Sequence, residues 1–451
     1  MVLSKEDNAL ITQVGPGTAM GAVMREYWLP ILLSCELQEK DGRPLRVRVL
    51  GEDLVAFRDS NGTIGLLEEH CPHRGASLYF GRNEECGLRC VYHGWKYDVN
   101  GNITDMPNEP PQSTFKDRLK AIAYPCVERN GTVWAYLGSK CAEQRPSLPD
   151  LEWNLVPQSR CYISKRYQEC NWVQAYEGGI DSSHVSFLHS RLNSTDFTGS
   201  PREQGMKYMA GDKFPHYETL ETPYGMMVGA RRSAEPGFHY WRITQCLMPF
   251  YTILPSYGAD SPVSGHAWVP IDDHTTMVWT ITWHPTRDLT EEELDDMRYW
   301  SPDRVGTSEG NGRHLPLDMY IQETSNPGSR WKPKLNKGND YLIDWEAQAT
   351  KAFSGIPTIS MQDQAVQESM GPIYDRRKEH LGTADMAIIR MRQLWLKAAK
   401  GLRDRQVVPV GLYAPQSYHI RSASIRLPDG IDWASEATQV TSANQDEVHF
   451  I

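Results

Sequence analysis

At 451 residues the chain is long enough for two domains with buried cores. Its composition, 40% hydrophobic and 23% charged with 14 Trp and 21 Tyr, is that of a globular enzyme, and a formal charge of −10 argues against nucleic-acid or anionic-membrane partners, which need a basic face. The opening MVLSKEDNALITQVG carries acidic residues and no secretory apolar core, no run of about 18 apolar residues could span a bilayer, and nine cysteines without an even framework read as cytoplasmic thiols or metal ligands.

Residues 1–28 read as two short helices separated by Gly15-Pro16-Gly17. From 29 to 144 the texture is all-β: PLRVRVLGEDLVAFRD, TIGLLEE, KYDVNGNIT and GTVWAYLG are strand-like, and Asn61-Gly62, Asn100-Gly101 and Asn130-Gly131 are hairpin turns between such runs. The Pro-rich QRPSLPDLEWNLVP marks a boundary near 145. Residues 145–451 mix elements: NWVQAYEGGIDSSHVSFLHS reads as helical, 216–285 as successive strands, 306–340 as a long polar loop, and ADMAIIRMRQLWLKAAKGL as an amphipathic helix.

Two segments carry chemistry. In CPHRGASLYFGRNEECGLRCVYHGW, Cys71 and His73 form one arm and Cys90 and His93 the other. A zinc finger pairs like with like, two Cys and then two His. Here each arm mixes the types, which suits a [2Fe–2S] cluster with two thiolates on one iron and two imidazoles on the other. Cys86, between the arms, and His70, beside Cys71, lack the spacing and read as a structural thiol and a neighbouring group.

The second segment places Asp181, His184 and His189 as D-x2-H-x4-H. On an ideal helix the two His lie about 140° apart, so a shared ion requires a π-bulge or a helix end between them. It is not HExxH, which argues against a zincin protease. Two His with one carboxylate from elsewhere would make the facial triad that leaves positions open on Fe(II).

The first segment resembles the Rieske motif of the Rieske non-heme iron oxygenases. The layout of that motif followed by D-x2-H-x4-H resembles the phthalate-dioxygenase-like branch, from VGPGTAMGAVMREYWLP to FSGIPTISMQDQAVQESMGPIYDRRKEHLGTAD. The resemblance implies an α+β chain: an all-β Rieske domain, then a helix-grip catalytic domain in which an antiparallel sheet curves around a long helix. It implies Asp363 as the third iron ligand beside His184 and His189. Ser360 and Asp363 also fit a helix cap, and Glu368, Asp375 and Asp385 are rival carboxylates. It further implies that Asp181 links an iron-binding His184 to the partner subunit's His93, that Asn171 lies near the iron, and that the working unit is a trimer or two stacked trimers. Electrons would come from a separate NAD(P)H reductase with flavin and a plant-type cluster, since this chain has no dinucleotide fingerprint and no C-x4-C-x2-C set.

For substrate, the branch implies O2 and an aromatic carboxylate such as a phthalate-like acid. Arg forks bind carboxylates bidentately. Alternation in FHYWRITQCLM sets Arg242 on one strand face with Tyr240, Thr244 and Cys246, making it the leading anchor, with Lys207, Arg231 and Arg232 as further candidates. Cis-dihydroxylation is the leading expectation. An O-demethylase or monooxygenase acting on a methoxylated or aryl-ether acid is the second, and a Rieske electron carrier without catalysis is a remote third.

Overall fold

The computed structural model describes residues 2–190, 192, 201–256, 261–299 and 313–443. Two short helices open the chain, α1 (Lys5–Thr12) and α2 (Ala19–Arg25), capped by the hydroxyls of Ser4 and Thr18. Three small antiparallel sheets follow. One joins β1 (Trp28–Leu33), β9 (Cys126–Arg129) and β10 (Thr132–Tyr136). Another joins β2 (Leu45–Val49), β3 (Glu52–Arg58) and β4 (Ile64–Glu68). The third runs through β5 (Arg82–Glu84), β6 (Gly87–Arg89), β7 (Lys96–Tyr97) and β8 (Ile103–Asp105). Each expected Asn-Gly turn closes an antiparallel pair, with positive φ at Gly62, Gly101 and Gly131.

The rest is built on one eight-stranded antiparallel sheet. Its order is β11 (Cys161–Gln168), β17 (Thr276–Trp283), β16 (Val263–Pro270), β15 (Tyr251–Leu254), β14 (Phe238–Leu247), β13 (Gly225–Ser233) and β12 (His216–Thr222). β18 (Ala423–Pro428) pairs the first half of β14 while β15 pairs its end, so two strands share one edge of β14. Helices α3 (Trp172–Ile180), α4 (Pro201–Gly211), α5 (Glu291–Arg298), α6 (Trp345–Thr350), α7 (Ile359–Ser369), α8 (Met386–Arg405) and α9 (Trp433–Thr441) complete it. The expected helix-grip arrangement is present: α3 lies on β15 and β16, and the 20-residue α8 packs against α3, β12 and β13. Trp395 of α8 meets Trp172 and Tyr176 of α3 edge-on, with ring centroids 4.7 and 4.8 Å apart.

Helix-interior glycine costs about 1 kcal/mol against alanine, yet α3 carries Gly178 and Gly179. A Cβ on Gly178 would sit 2.2 Å from the Gln367 amide, and one on Gly179 3.0 Å from Thr252 and Trp268. The glycine pair lets α3 press against both α7 and the sheet, which sets the distance between the end of α3 and α7.

The N-terminal helices pack chiefly against α8, and α2 also touches β1 and ties to β3 through the Arg25–Glu52 ion pair. The apolar core is continuous across the expected boundary near 145, running from Trp28 and Trp134 through Trp153 to Trp172, Trp279 and Trp395. A separate small core of Leu67, Leu78, Leu88, Trp95 and Tyr97 encloses Cys71 and Cys90. The stretch read as a long loop divides: 306–312 lies outside the described residues, and 313–340 forms short turns, with Tyr320 and Trp331 buried. No described helix is long and apolar enough to cross a membrane.

Candidate active site

Each arm of the first motif is a tight loop. Gly75 N–H donates to the Cys71 carbonyl (2.8 Å) and Gly94 N–H to the Cys90 carbonyl (3.0 Å), both glycines having φ near +80° at +74° and +81°. The loops bury Cys71 and Cys90 together, and burial with a smaller push from Cys71 raises the Cys90 thiol. They also set the His73 and His93 rings edge to face at 4.4 Å, with His73 stacked on Trp95 at 4.5 Å. The Nδ1 of His73 is buried without a hydrogen-bond partner. Thiol beside thiol, imidazole beside imidazole and an orphaned ring nitrogen fit a [2Fe–2S] cluster held by two Cys and two His. Tyr97 OH lies 2.9 Å from the Cys71 sulfur. Cys86 is exposed in the β5–β6 turn, its sulfur accepting from Asn61 Nδ2 at 3.2 Å, and His70 is exposed.

The second constellation forms where α3 stops. Asp181 is the extended C-cap residue, and His184 begins a 3-10 turn, so a helix end rather than a π-bulge brings the two histidines together. His184 Nε2 and His189 Nε2 lie 3.2 Å apart, and Asp363 Oδ1 is 3.4 and 3.2 Å from them. Among the described residues this is the group of His, Cys, Asp and Glu whose ligand atoms all lie within 4.8 Å of one another. Ligands about 2.1 Å from an ion at right angles sit roughly 3 Å apart, so the three atoms fit one octahedral face. Burial opposes charge on His184, but Asp181 and Asp363 outweigh it and push the imidazole up to about 10. The two histidines likewise overcome burial and hold the Asp363 carboxyl far below its usual range.

The outer nitrogens are also held. Gln362 Oε1 accepts from His189 Nδ1 at 2.7 Å, and Asp181 Oδ2 lies 3.4 Å from His184 Nδ1. Asp181 accepts in turn from Ser183 N–H (2.7 Å) and Tyr217 OH (3.2 Å). Thr358, not Ser360, caps α7, which leaves the Asp363 carboxylate for the histidines. The rivals are spent elsewhere: Glu368 on Tyr341, Gln364 and Glu169 N–H, Asp375 on Arg377, and Asp385 on Gly382 N–H.

A cavity of about 480 Å³ opens onto His184, His189 and Asp363. Residues 27–116 match the model of the Rieske [2Fe-2S] domain, and residues 135–449 match that of the LigXa C-terminal domain like family. The chain belongs to the Rieske non-heme iron oxygenases. It is similar over most of its length to oxygenase subunits of that family. The 3-chlorobenzoate-3,4-dioxygenase oxygenase subunit of Comamonas testosteroni is 37% identical, covering 97% of this chain and 98% of its own. The phthalate 4,5-dioxygenase oxygenase subunit of Pseudomonas putida is 36% identical, with 88% and 86% covered. The 5,5'-dehydrodivanillate O-demethylase oxygenase subunit of Sphingobium sp. (strain NBRC 103272 / SYK-6) is 31% identical, with 88% and 80% covered.

Of the residues expected to meet substrate in this Rieske oxygenase, Arg242 lines the cavity together with Thr244, as strand alternation requires. The other three do not line it. Lys207 is exposed on α4, whose helical period turns Met206, Met209 and Ala210 to the cavity instead. Arg231 lies on the opposite face of β13, over the Trp241 ring at 5.8 Å. Arg232 is buried but consumed by the Ser182 carbonyl (2.7 Å), the Ser182 hydroxyl (3.0 Å) and the Asp212 carbonyl (3.1 Å). It fastens the loop that carries Asp181. Asn171 is not beside the metal residues: it N-caps α3 through Val173 N–H and donates to the carbonyls of Thr12 and Asp273. Arg166, Lys213 and His266 also line the cavity, and the sequence reading did not single them out.

Proposed function

We propose that this chain is the oxygenase component that cis-dihydroxylates an aromatic carboxylate, drawing electrons from a separate NAD(P)H-dependent reductase. The observation that carries the reading is a single cavity lined by His184, His189 and Asp363 and also by the buried Arg242. Such a cavity can hold an aromatic ring beside a metal while an Arg fork engages its carboxylate. In this reading Cys71, His73, Cys90 and His93 hold the cluster and His184, His189 and Asp363 the iron. When bound, the cluster supplies single electrons and the mononuclear iron supplies open positions for O2. The chain's own part is to fix both imidazoles of the triad through Asp181 and Gln362, to orient the acid, and to keep the ring in a largely apolar pocket that includes Trp268, Met206 and Met209. The names of two relatives, a 3-chlorobenzoate and a phthalate dioxygenase, support the substrate class.

The second reading, O-demethylation of a methoxylated aromatic acid, has the third relative's name in its favour. Turnover under labelled O2 with phthalate, 3-chlorobenzoate, phenoxybenzoate and methoxylated benzoates separates the two. Both labelled atoms in a cis-diol support dihydroxylation, whereas formaldehyde release replaces it with demethylation. Anaerobic preparations should contain about three irons per chain; a colourless, zinc-loaded protein would sink both.

A further inference from the structure

The cavity holds, besides Arg242, a buried basic group that meets no carboxylate of the described residues at salt-bridge distance. Arg166, on β11, is 2% exposed and lines the cavity. Its Nε donates to Gln364 Oε1 at 3.2 Å and its Nη1 to Thr280 Oγ1 at 3.3 Å, both neutral acceptors. Among the described residues no carboxylate lies within salt-bridge distance of it. Several other deeply buried cations face a carboxylate, and Arg232, which also meets neutral acceptors, is bonded through all three of its guanidinium nitrogens. Lys165 faces Glu36, Arg376 and Arg392 face Glu177, and Arg421 faces Glu152. The carboxylates that act on Arg166 through space, Asp363 and Glu368, are committed to the metal-site histidines and to Tyr341. Burying an unpaired guanidinium is costly, and an anion delivered by a ligand removes that cost.

An independent observation lies two strands away, across β17. His266, on β16, is 8% exposed and lines the same cavity, and its Nδ1 is buried with no hydrogen-bond partner. Alternation along SGHAW sends Ser264, His266 and Trp268 to one face, with the His266 ring 4.9 Å from that of Trp268. His266 sits opposite Thr280, the residue whose hydroxyl accepts from Arg166. Burial, then Arg166 and Arg313, hold its imidazole well below the usual range. A neutral imidazole offers one N–H donor and one acceptor.

We propose that Arg166 and His266 form an anion-anchoring subsite in the cavity, the guanidinium pairing with a substrate carboxylate and the imidazole donating a hydrogen bond to it. The inference rests on the aromatic-acid reading above and deepens it, adding an anchor on the β11–β16 side of the sheet to Arg242 on β14.

The test is ligand binding to the anaerobic holoenzyme by calorimetry, with benzoate and phthalate as acids and benzamide as the neutral probe, after cluster absorbance and iron content show each variant intact. R166Q should weaken both acids about ten- to hundredfold and leave benzamide within about threefold. R166K should recover part of the loss, because it restores charge without the fork. H266F, which keeps a ring, should weaken the acids about five- to tenfold with little change for benzamide. Acid affinity that survives R166Q, or a loss shared equally by acid and amide, overturns the subsite. Should R166Q fail to fold, unchanged acid binding by H266F overturns it instead. Wild-type protein that binds none of the acids overturns both the subsite and the aromatic-acid reading, whereas acid binding insensitive to these substitutions overturns the subsite alone.

Discussion

Gln362 shows how much a single neutral side chain carries at the metal site. Its amide oxygen fixes His189 Nδ1–H, which aims Nε2 at Asp363 and His184, while its amide nitrogen is spent on the Ile356 carbonyl at 2.9 Å. Gln362→Leu frees the ring, so the mononuclear iron should bind about ten- to hundredfold more weakly. Iron content after dialysis should fall by the mononuclear share while the visible spectrum of the cluster stays unchanged. At the other centre, Gly94 combines φ +81° with a position where a Cβ would lie 2.6 Å from Pro107 Cγ. Left-handed backbone costs a non-glycine residue roughly 1–2 kcal/mol, and the contact adds to it. Gly94→Ala should therefore lower cluster loading, read as lost visible absorbance, and leave the mononuclear iron in place. Residues of this kind differ in how far sequence exposes them. The Cys and His of the Rieske loops are legible because their types and spacings encode the loops themselves. Arg166 was hidden because it follows Lys165 in ISKRYQ, and two adjacent basic residues read as a solvated edge. In the fold they point to opposite faces, Lys165 to Glu36 and Arg166 to the cavity, and both are buried.

At the scale of elements, α3 is the hub, because it ends at the metal residues and is anchored by charge near its C-terminus. Glu177 receives Arg392 Nε at 2.6 Å and Arg376 Nη2 at 3.2 Å, tying α3 to α8 and to the segment after α7. Burial alone would raise the Glu177 carboxyl, but the two guanidiniums overcome it and hold it below its ordinary value. A depressed carboxyl adds stability that is complete above the unfolded value of about 4.3 and is lost as pH falls through the folded one. Glu177→Gln leaves two buried guanidiniums without their shared carboxylate and should cost about 3–5 kcal/mol. Denaturant midpoints measured down the acid side should fall less steeply with pH in the variant than in the wild type. A variant of wild-type stability near neutral pH would show that α3 does not depend on this anchor. The element pattern was largely open to sequence reading: the Asn-Gly hairpins, the strands between 216 and 285 and the amphipathic α8 follow from local periodicity. What local pattern could not supply was the end of α3 at Asp181, because the helical texture of NWVQAYEGGIDSSHVSFLHS runs past it. Nor could it reveal that α1 and α2 pack on α8, more than 350 residues away, since nothing in a local window encodes that contact.

At the scale of the whole molecule, the two centres raise the question of how an electron moves between them. Asp181 contacts His184, Ser183 and Tyr217, and the His93 ring contacts His73 and Tyr92, so within one chain neither of these two residues reaches the other. Around the Rieske loops, Phe80, Val91 and Tyr92 expose 64, 57 and 54% of their surface, an apolar fringe suited to cover by another subunit. The reading in which Asp181 meets the partner subunit's His93 makes a prediction that needs no structure of the oligomer. His93→Ala should abolish activity by disabling the Rieske loop, and Asp363→Ala should abolish it by removing a metal-site carboxylate. Mixed in one closed ring by coexpression, an Asp363→Ala chain can donate to the intact metal site of a neighbouring His93→Ala chain. With random assortment half the donors and half the acceptors are sound, so about a quarter of the interfaces work, and roughly that share of wild-type turnover should return. Asp181→Asn placed on the chain with the intact metal site should remove the recovered activity while iron content holds, whereas the same change on the donor chain should not. Mixed oligomers, verified by native mass, that stay as inactive as either parent would place the transfer within one chain and remove Asp181 from the route.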